Sequence, residues 1–228
     1  YYNMYCHILS SIIGSHPDIQ DAIKYYESND TIVAVVADGL GSRKMSAHGA
    51  RLICKLMVEE LSEKRPPLSP TDILSPKKWQ DYLESNYYNI DEFCTTCSFA
   101  IIDKFSKSVC VGQIGDSPIF LKLDNVPVIE LWQEKEFSNI TDSLGGKSIK
   151  TFITHNFQFK DSVNVLVTSD GMGDELNSSS LDSLFSYLCS KYQQFTPKSR
   201  SRRFTKEMKA TIGKVNHDDK SAIFIWSI

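Results

Sequence analysis

Thr31-Ile32-Val33-Ala34-Val35-Val36-Ala37-Asp38-Gly39-Leu40-Gly41 is the stretch whose reading decides the fold. Thr31 to Ala37 is a continuous apolar run rich in valine, as expected of a strand buried on both faces. It ends on Asp38, so the strand fixes a carboxylate at its tip. Gly39 then lets the backbone turn sharply or approach a neighbour closely. The same arrangement recurs in Val165-Leu166-Val167-Thr168-Ser169-Asp170-Gly171-Met172. A third version is His217-Asp218-Asp219, running into Ser221-Ala222-Ile223-Phe224-Ile225-Trp226. Carboxylates delivered in this way point to convergence at one sheet edge. A set of oxygen ligands suits Mg²⁺ or Mn²⁺ rather than zinc.

Outward from the first stretch, the spacing of Ala50, Ile53, Leu56, Met57 and Leu61 predicts a helix over Ser46 to Lys64, with Ser46 as its N-cap. Arg65-Pro66-Pro67 ends it. Ser75-Pro76 opens a second amphipathic helix carrying Trp79, Tyr82 and Leu83. From Cys94 the character changes. Cys97 to Asp103, Ser108 to Ile114, Pro118 to Leu123 and Pro127 to Trp132 are strand candidates. Turn residues such as Gly115-Asp116-Ser117 and Asp124-Asn125 separate them, which predicts an antiparallel meander. Gln133 to Ser148 is polar and is expected to be a loop with a short helix. Asn164 to Ser169 is a strand, Leu181 to Tyr192 and Ser201 to Ile212 are helices, and Ala222 to Ile228 is the last strand. This order predicts one α+β layered domain over residues 1–228.

Composition bounds the function. The chain has 228 residues, 41% hydrophobic and 23% charged, with net charge -3. That balance gives no electrostatic footprint for nucleic acid. No apolar run reaches the length of a membrane span. Tyr1-Tyr2-Asn3-Met4-Tyr5 lacks signal-peptide character, so a cytoplasmic location is expected. The six cysteines are Cys6, Cys54, Cys94, Cys97, Cys110 and Cys189, and free buried thiols are the default in such a chain. Cys94-Thr95-Thr96-Cys97 has C-x-x-C spacing but lacks the second ligand pair of a zinc site.

The motifs also occur in a definite order. Ser15-His16 and Ile19-Gln20-Asp21-Ala22 come first, then Asp38-Gly39-Leu40-Gly41 with a helix behind it. Thr95-Thr96-Cys97-Ser98 opens a strand, and Val111 to Ile114 leads into Gly115-Asp116-Ser117. Ser169-Asp170-Gly171-Met172 and Asp218-Asp219-Lys220-Ser221-Ala222 complete the series. From about Ser15 to Trp226 the chain resembles the metal-dependent protein phosphatases of the 2C type, in their bacterial branch. The resemblance implies a central antiparallel β-sandwich flanked by helices in α-β-β-α layers, with metals at one end. It implies a protein serine/threonine phosphatase using two Mn²⁺ or Mg²⁺ ions, with a third as an option. Asp38 would bridge two ions and the Gly39 carbonyl would ligate one. Asp170 and Asp218 would complete the cluster, partly through water. Asp21 would be a ligand or would hydrogen-bond to a water on the metal. Asp116 matches a position where an acid helps hold a third ion, and is equally a good turn residue. Asp219 stands where the family commonly has Asn. The segment Gln133 to Phe157 would be a flap near the site. Phosphorylated proteins would be the substrates and a Ser/Thr kinase the natural counterpart, with no nucleic-acid or membrane partner.

The chemistry explains the residue types. A phosphomonoester dianion repels nucleophiles. Paired divalent cations neutralise it in part and lower the pKa of a bridging water. Hard cations call for carboxylates. Three departures bear on turnover. His16 stands where the family usually has a phosphate-gripping Arg, so it is a candidate catalytic and substrate-binding residue as well as a surface one. Leu40 replaces a His proposed as general acid in some members. Pro118 follows Gly115-Asp116-Ser117 in place of a frequent Arg. The alternatives are therefore a pseudophosphatase serving as a regulatory module, and a metal-dependent hydrolase of small phosphoesters. His48 is expected as a surface or capping residue, and His217 either as a support behind its neighbour Asp218 or as a structural residue. The basic run Lys198, Arg200, Arg202, Arg203, Lys206 and Lys209 is either a solvated helix face or a docking patch for an acidic or phosphorylated partner.

Overall fold

The computed structural model describes residues 4–86, 89–132, 142–145, 151–213 and 215–228. Two five-stranded antiparallel sheets form the centre. In chain order the strands are β1 (Tyr5–Ile12), β2 (Asp21–Glu27), β3 (Thr31–Asp38), β4 (Cys97–Asp103), β5 (Ser108–Ile114), β6 (Ile119–Leu123), β7 (Ile129–Leu131), β8 (Ile153–Gln158), β9 (Val163–Thr168) and β10 (Lys220–Ser227). One sheet has the order β1-β10-β9-β6-β7 and the other β2-β3-β4-β5-β8. The helices are α1 (Ser46–Leu61), α2 (Pro76–Asn86), the short turn α3 (Asp170–Gly173), α4 (Leu181–Tyr192) and α5 (Pro197–Thr211).

Strand alternation builds the layers. In β3, Ile32, Ala34 and Val36 face the other sheet, where they meet Ile119, Val165, Val167, Ile223 and Ile225. Val33, Val35 and Ala37 face the opposite way and pack with Ile53, Met57 and Leu61 of α1 and Trp79 and Leu83 of α2. This explains the unbroken apolar run, since both faces of the strand are buried. On the far side, Ile8, Phe120, Leu166, Phe224 and Trp226 pack with Leu181, Phe185 and Leu188 of α4 and Phe204 of α5. The result is the expected α-β-β-α sandwich.

Several expectations need correction. The strands after Cys94 are not one meander. β4 and β5 pair in one sheet, whereas β6 pairs with β7 and β9 in the other. Gly115-Asp116-Ser117 is therefore the crossover between sheets, not a hairpin turn. Ser46 does not cap α1. The N-cap is Met45, which makes no side-chain cap bond, and the Ser46 hydroxyl donates to the Arg43 carbonyl at 2.9 Å. β1, β2 and β8 were not anticipated, and Asp21 is the first residue of β2. Of the flap segment, most of 133–150 lies outside the described residues. Of its described parts, Leu144 is buried and exchanges backbone hydrogen bonds with Thr95, and β8 pairs with β5 as a mostly exposed edge strand. All six cysteines are free.

Candidate metal centre

Five chain segments meet at one end of the sandwich. β2 begins there with Asp21 and β3 ends there with Asp38, and these two residues are register partners. The crossover brings Asp116, the end of β9 brings Asp170 at the start of α3, and the loop before β10 brings Asp218. A cleft of about 210 Å³ is lined by Asp38, Asp116, Asp170, Asp218 and Asp219, with His16, Gln20, Gly39 and Thr96. All the carboxylates expected from the sequence thus gather here, with Asp21 just beneath Asp38. His16 is exposed at the cleft.

The backbone explains the placement. The Asp38 carbonyl accepts from Thr96 N at 2.8 Å and from the Thr95 hydroxyl at 2.9 Å, and Asp38 N donates to the Thr96 hydroxyl at 3.1 Å. These bonds lock the strand tip. Gly39 lies directly against α1, where a Cβ would come within 2.6 Å of the Ser46 carbonyl carbon. At Gly171 a Cβ would approach the Asp219 carbonyl oxygen to 2.3 Å. Glycine is required at both positions by close backbone approach, which holds α3 against the Asp218 loop.

The electrostatics are those of crowded anions. Asp21 is 4% exposed, and neither of its carboxylate oxygens has a hydrogen-bond partner among the described residues. Burial pushes its carboxyl up to about 6. The Ser169 and Ser221 hydroxyls and the Asp38 carboxyl lie close enough to draw its pKa down in part against that burial. Burial, and then the Asp21 and Asp170 charges, hold Asp38 well above the usual carboxylate range. Asp170 is raised by burial and by the charge of Asp116, although its Oδ1 accepts from Gly171 N at 2.5 Å. No Lys or Arg lines the cleft among the described residues.

This donor set fits a hard divalent cation, which would neutralise the cluster and satisfy the orphaned Asp21 oxygens. Among the described residues no three His, Cys, Asp or Glu side chains are close enough around one point to ligate an ion unaided. Carbonyl oxygens and water would complete the shell, as is usual for Mg²⁺.

Other residues at the site emerge only from the structure. Asp219 does more than line the cleft. Its Oδ1 accepts from Gly14 N at 2.6 Å and its Oδ2 from Gln20 N at 2.5 Å, so it pins both ends of the loop carrying His16. Lys220 is buried beneath the Asp218 loop, and Asn216 links that loop to α3. Gln20 and Thr96 line the cleft. Asp219 had a sequence signal in its adjacency to Asp218; Lys220 and Asn216 had none. His217 is exposed and acts through its carbonyl, which accepts from Ser15 N at 2.9 Å. His48 is half-buried, edge-on to Phe93 at 5.8 Å, and is not a free surface residue.

The family model for protein phosphatase 2C matches residues 11–212, and the chain belongs to that family of metal-dependent protein serine/threonine phosphatases. Among solved structures, RsbX in complex with magnesium is similar over 99% of this chain and 96% of its own, at 15% identity and a TM-score of 0.63. The S. agalactiae serine/threonine phosphatase is similar over 97% and 99%, at 15% identity and a TM-score of 0.65. The catalytic domain of the phosphatase PstP in complex with two manganese ions is similar over 99% and 97%, at 12% identity and a TM-score of 0.64. At these identities the likeness is one of fold. No curated protein matches the chain in sequence. No helix among the described residues is long and apolar enough to cross a membrane.

Proposed function

We propose that this cleft hydrolyses phosphoserine and phosphothreonine in proteins with two Mn²⁺ or Mg²⁺ ions. The observation that carries the reading is the gathering of Asp38, Asp170 and Asp218 around a cleft with no described Lys or Arg, above an Asp21 whose oxygens lack partners. Asp38 with the Gly39 carbonyl, Asp170 and Asp218 would hold the ions. Asp21 would ligate or accept hydrogen bonds from ligating water, and Asp116 would serve a third, weaker ion. Bound divalent cations supply charge neutralisation of the phosphomonoester and a nucleophile at neutral pH.

The chain's own residues do the rest. His16 donates a hydrogen bond to the phosphate in place of an Arg, and adds charge only when protonated. Phosphate capture is therefore weaker than with a guanidinium. Leu40 offers no proton, so the leaving oxygen takes one from water at the open cleft. Phosphorylated proteins are the substrates in this reading, a Ser/Thr kinase is the opposing enzyme, and the location is cytoplasmic.

The test is manganese-dependent hydrolysis of a phosphothreonine peptide by wild type beside Asp38→Ala and Asp170→Ala. Turnover by wild type that both variants lose is the expected result. Metal binding by calorimetry without turnover would replace it with a regulatory pseudophosphatase. Absence of metal binding would overturn the site.

A further inference from the structure

Helix α5 breaks two local rules. Lys198, Arg202 and Lys206 stand at i, i+4 and i+8 and form one column, which Lys209 extends. All four are exposed, and among the described residues none pairs with a carboxylate. Like charges at this spacing destabilise a helix. Lys198 also lies in the first turn, where the helix dipole favours acids, and that turn holds none. The one acid of α5, Glu207, is engaged by Lys191, Tyr187 and Tyr192. Such a helix, in a chain of net charge -3, leaves the rest of the molecule markedly acidic. Local rules broken without a compensating contact inside the fold point to a function outside it.

Two further observations define the surface. A groove of about 490 Å³ lies beside the column between α4 and α5. Tyr192, Phe195 and Ala210 give it an apolar lining, and Arg203 and Lys206 bring to it cations that pair with no carboxylate among the described residues. Gln194 and Glu207 also line it, the Glu207 carboxylate being held by Lys191. The Arg203 guanidinium lies 4.3 Å over the Phe195 ring. The helix also has a direction. Arg200 bonds to His7, Ser201 to Leu9 and Thr205 to Ser10, so α5 climbs β1 toward Ile12. Ile12 is the register partner of Lys220, next to the Asp218 loop. The column, about 16 Å long, therefore runs toward the carboxylate cleft.

We propose that the exposed face of α5 and its groove dock an acidic segment of the phosphoprotein substrate, away from the phosphorylated residue itself. The proposal rests on the phosphatase reading above and names the substrate class. An extended acidic segment with an apolar anchor matches a narrow cationic column beside an apolar groove. A bilayer or a duplex would extend past the helix onto the acidic remainder and be repelled.

The experiment compares two phosphothreonine peptides, one with a run of Asp and Glu several residues from the phosphothreonine and one with Asn and Gln in their place. Wild type is measured beside the triple variant Lys198→Glu, Arg202→Glu, Lys206→Glu, with p-nitrophenyl phosphate as the small-substrate control. Wild type should favour the acidic peptide in kcat/KM by about tenfold, an advantage that shrinks with salt. The variant should lose that preference and hydrolyse p-nitrophenyl phosphate as wild type does. Equal kcat/KM for both peptides in wild type, or a preference retained by the variant, overturns the proposal. If neither peptide is hydrolysed, fluorescence anisotropy of the labelled acidic peptide separates the two readings. Binding lost in the variant supports docking while the phosphatase reading fails, and no binding overturns docking as well. Variant-sensitive binding of anionic vesicles or duplex DNA, without peptide discrimination, also overturns it.

Discussion

Lys220 shows what a single residue can decide. It is 2% exposed, yet its ammonium meets no carboxylate within hydrogen-bond reach among the described residues. It donates instead to Asn216 Oδ1 at 2.5 Å, to the Asp218 carbonyl at 3.0 Å and to the Asn216 carbonyl at 3.4 Å. The Asn216 amide in turn donates to Glu175 Oε1 at 2.7 Å and to the Gly171 carbonyl at 3.2 Å. The Asp218 loop is thereby tied to the turn that carries Asp170. Groups that orient ligands from behind typically alter metal affinity by about 10–100-fold. Lys220→Met is expected to raise the Mn²⁺ dissociation constant in calorimetry by about tenfold, with KM for p-nitrophenyl phosphate little changed. Asn216→Ala should do the same, and the double variant should be no worse than either single one. Additive losses would mean that the two residues act separately. Asp38, Asp170 and Asp218 were legible in the chain because each ends or begins an apolar run. The roles of Asp219, Asn216 and Lys220 were not, because their partners are joined to them only by folding.

Elements differ in legibility for a related reason. β3, β4, β5 and β9 are buried, so their apolar runs are continuous. The strands missed from the sequence, β1, β2 and β8, are all sheet edges. β8 is Ile-Thr-His-Asn-Phe-Gln and mostly exposed, which leaves no apolar signal to find. β1 alternates but carries His7 and serines, and is covered by α5 only through distant contacts. Arg200 supplies the main one. It is buried, donates to the carbonyls of His7, Tyr192 and Phe195, and lies 5.0 Å over the Trp226 ring. It therefore belongs to the core and not to a solvated basic face. His7 beside it has a pKa below the ordinary value, chiefly because burial disfavours its charge and also because of Arg200, against the pull of Glu27. The unfolded chain takes up that proton near its ordinary value of about 6.5, whereas the native state resists it. Stability is thus present above that pH and falls as pH drops below it. The urea midpoint of wild type should decline between pH 7 and 5.5 more steeply than that of His7→Gln. Parallel slopes would exclude His7 as a source of acid sensitivity.

At the scale of the whole molecule, the fold carries an electrostatic burden at one end that a bound cation would remove. Metal-free protein holds buried and mutually repelling carboxylates, so an ion that binds only the native state stabilises it by mass action. At 100 times its dissociation constant, Mn²⁺ should add about 2.7 kcal/mol. For a chain of this size that raises Tm by about 5–10 °C after EDTA treatment. Asp38→Ala should abolish the shift, and an unshifted wild type would remove the metal from the site. The sequence by itself determined the layered α+β class, the buried strands, most of the helices and the acids at strand ends. These follow from periodicity and turn chemistry, which act between near neighbours. Tertiary structure alone decided that Gly115-Asp116-Ser117 crosses between sheets and that edge strands complete the sandwich. It also decided that Asp219 and Lys220 brace the site and that the α5 cations form a column rising toward the cleft. Those facts depend on which distant segments come to lie side by side, and local patterning carries no record of that pairing.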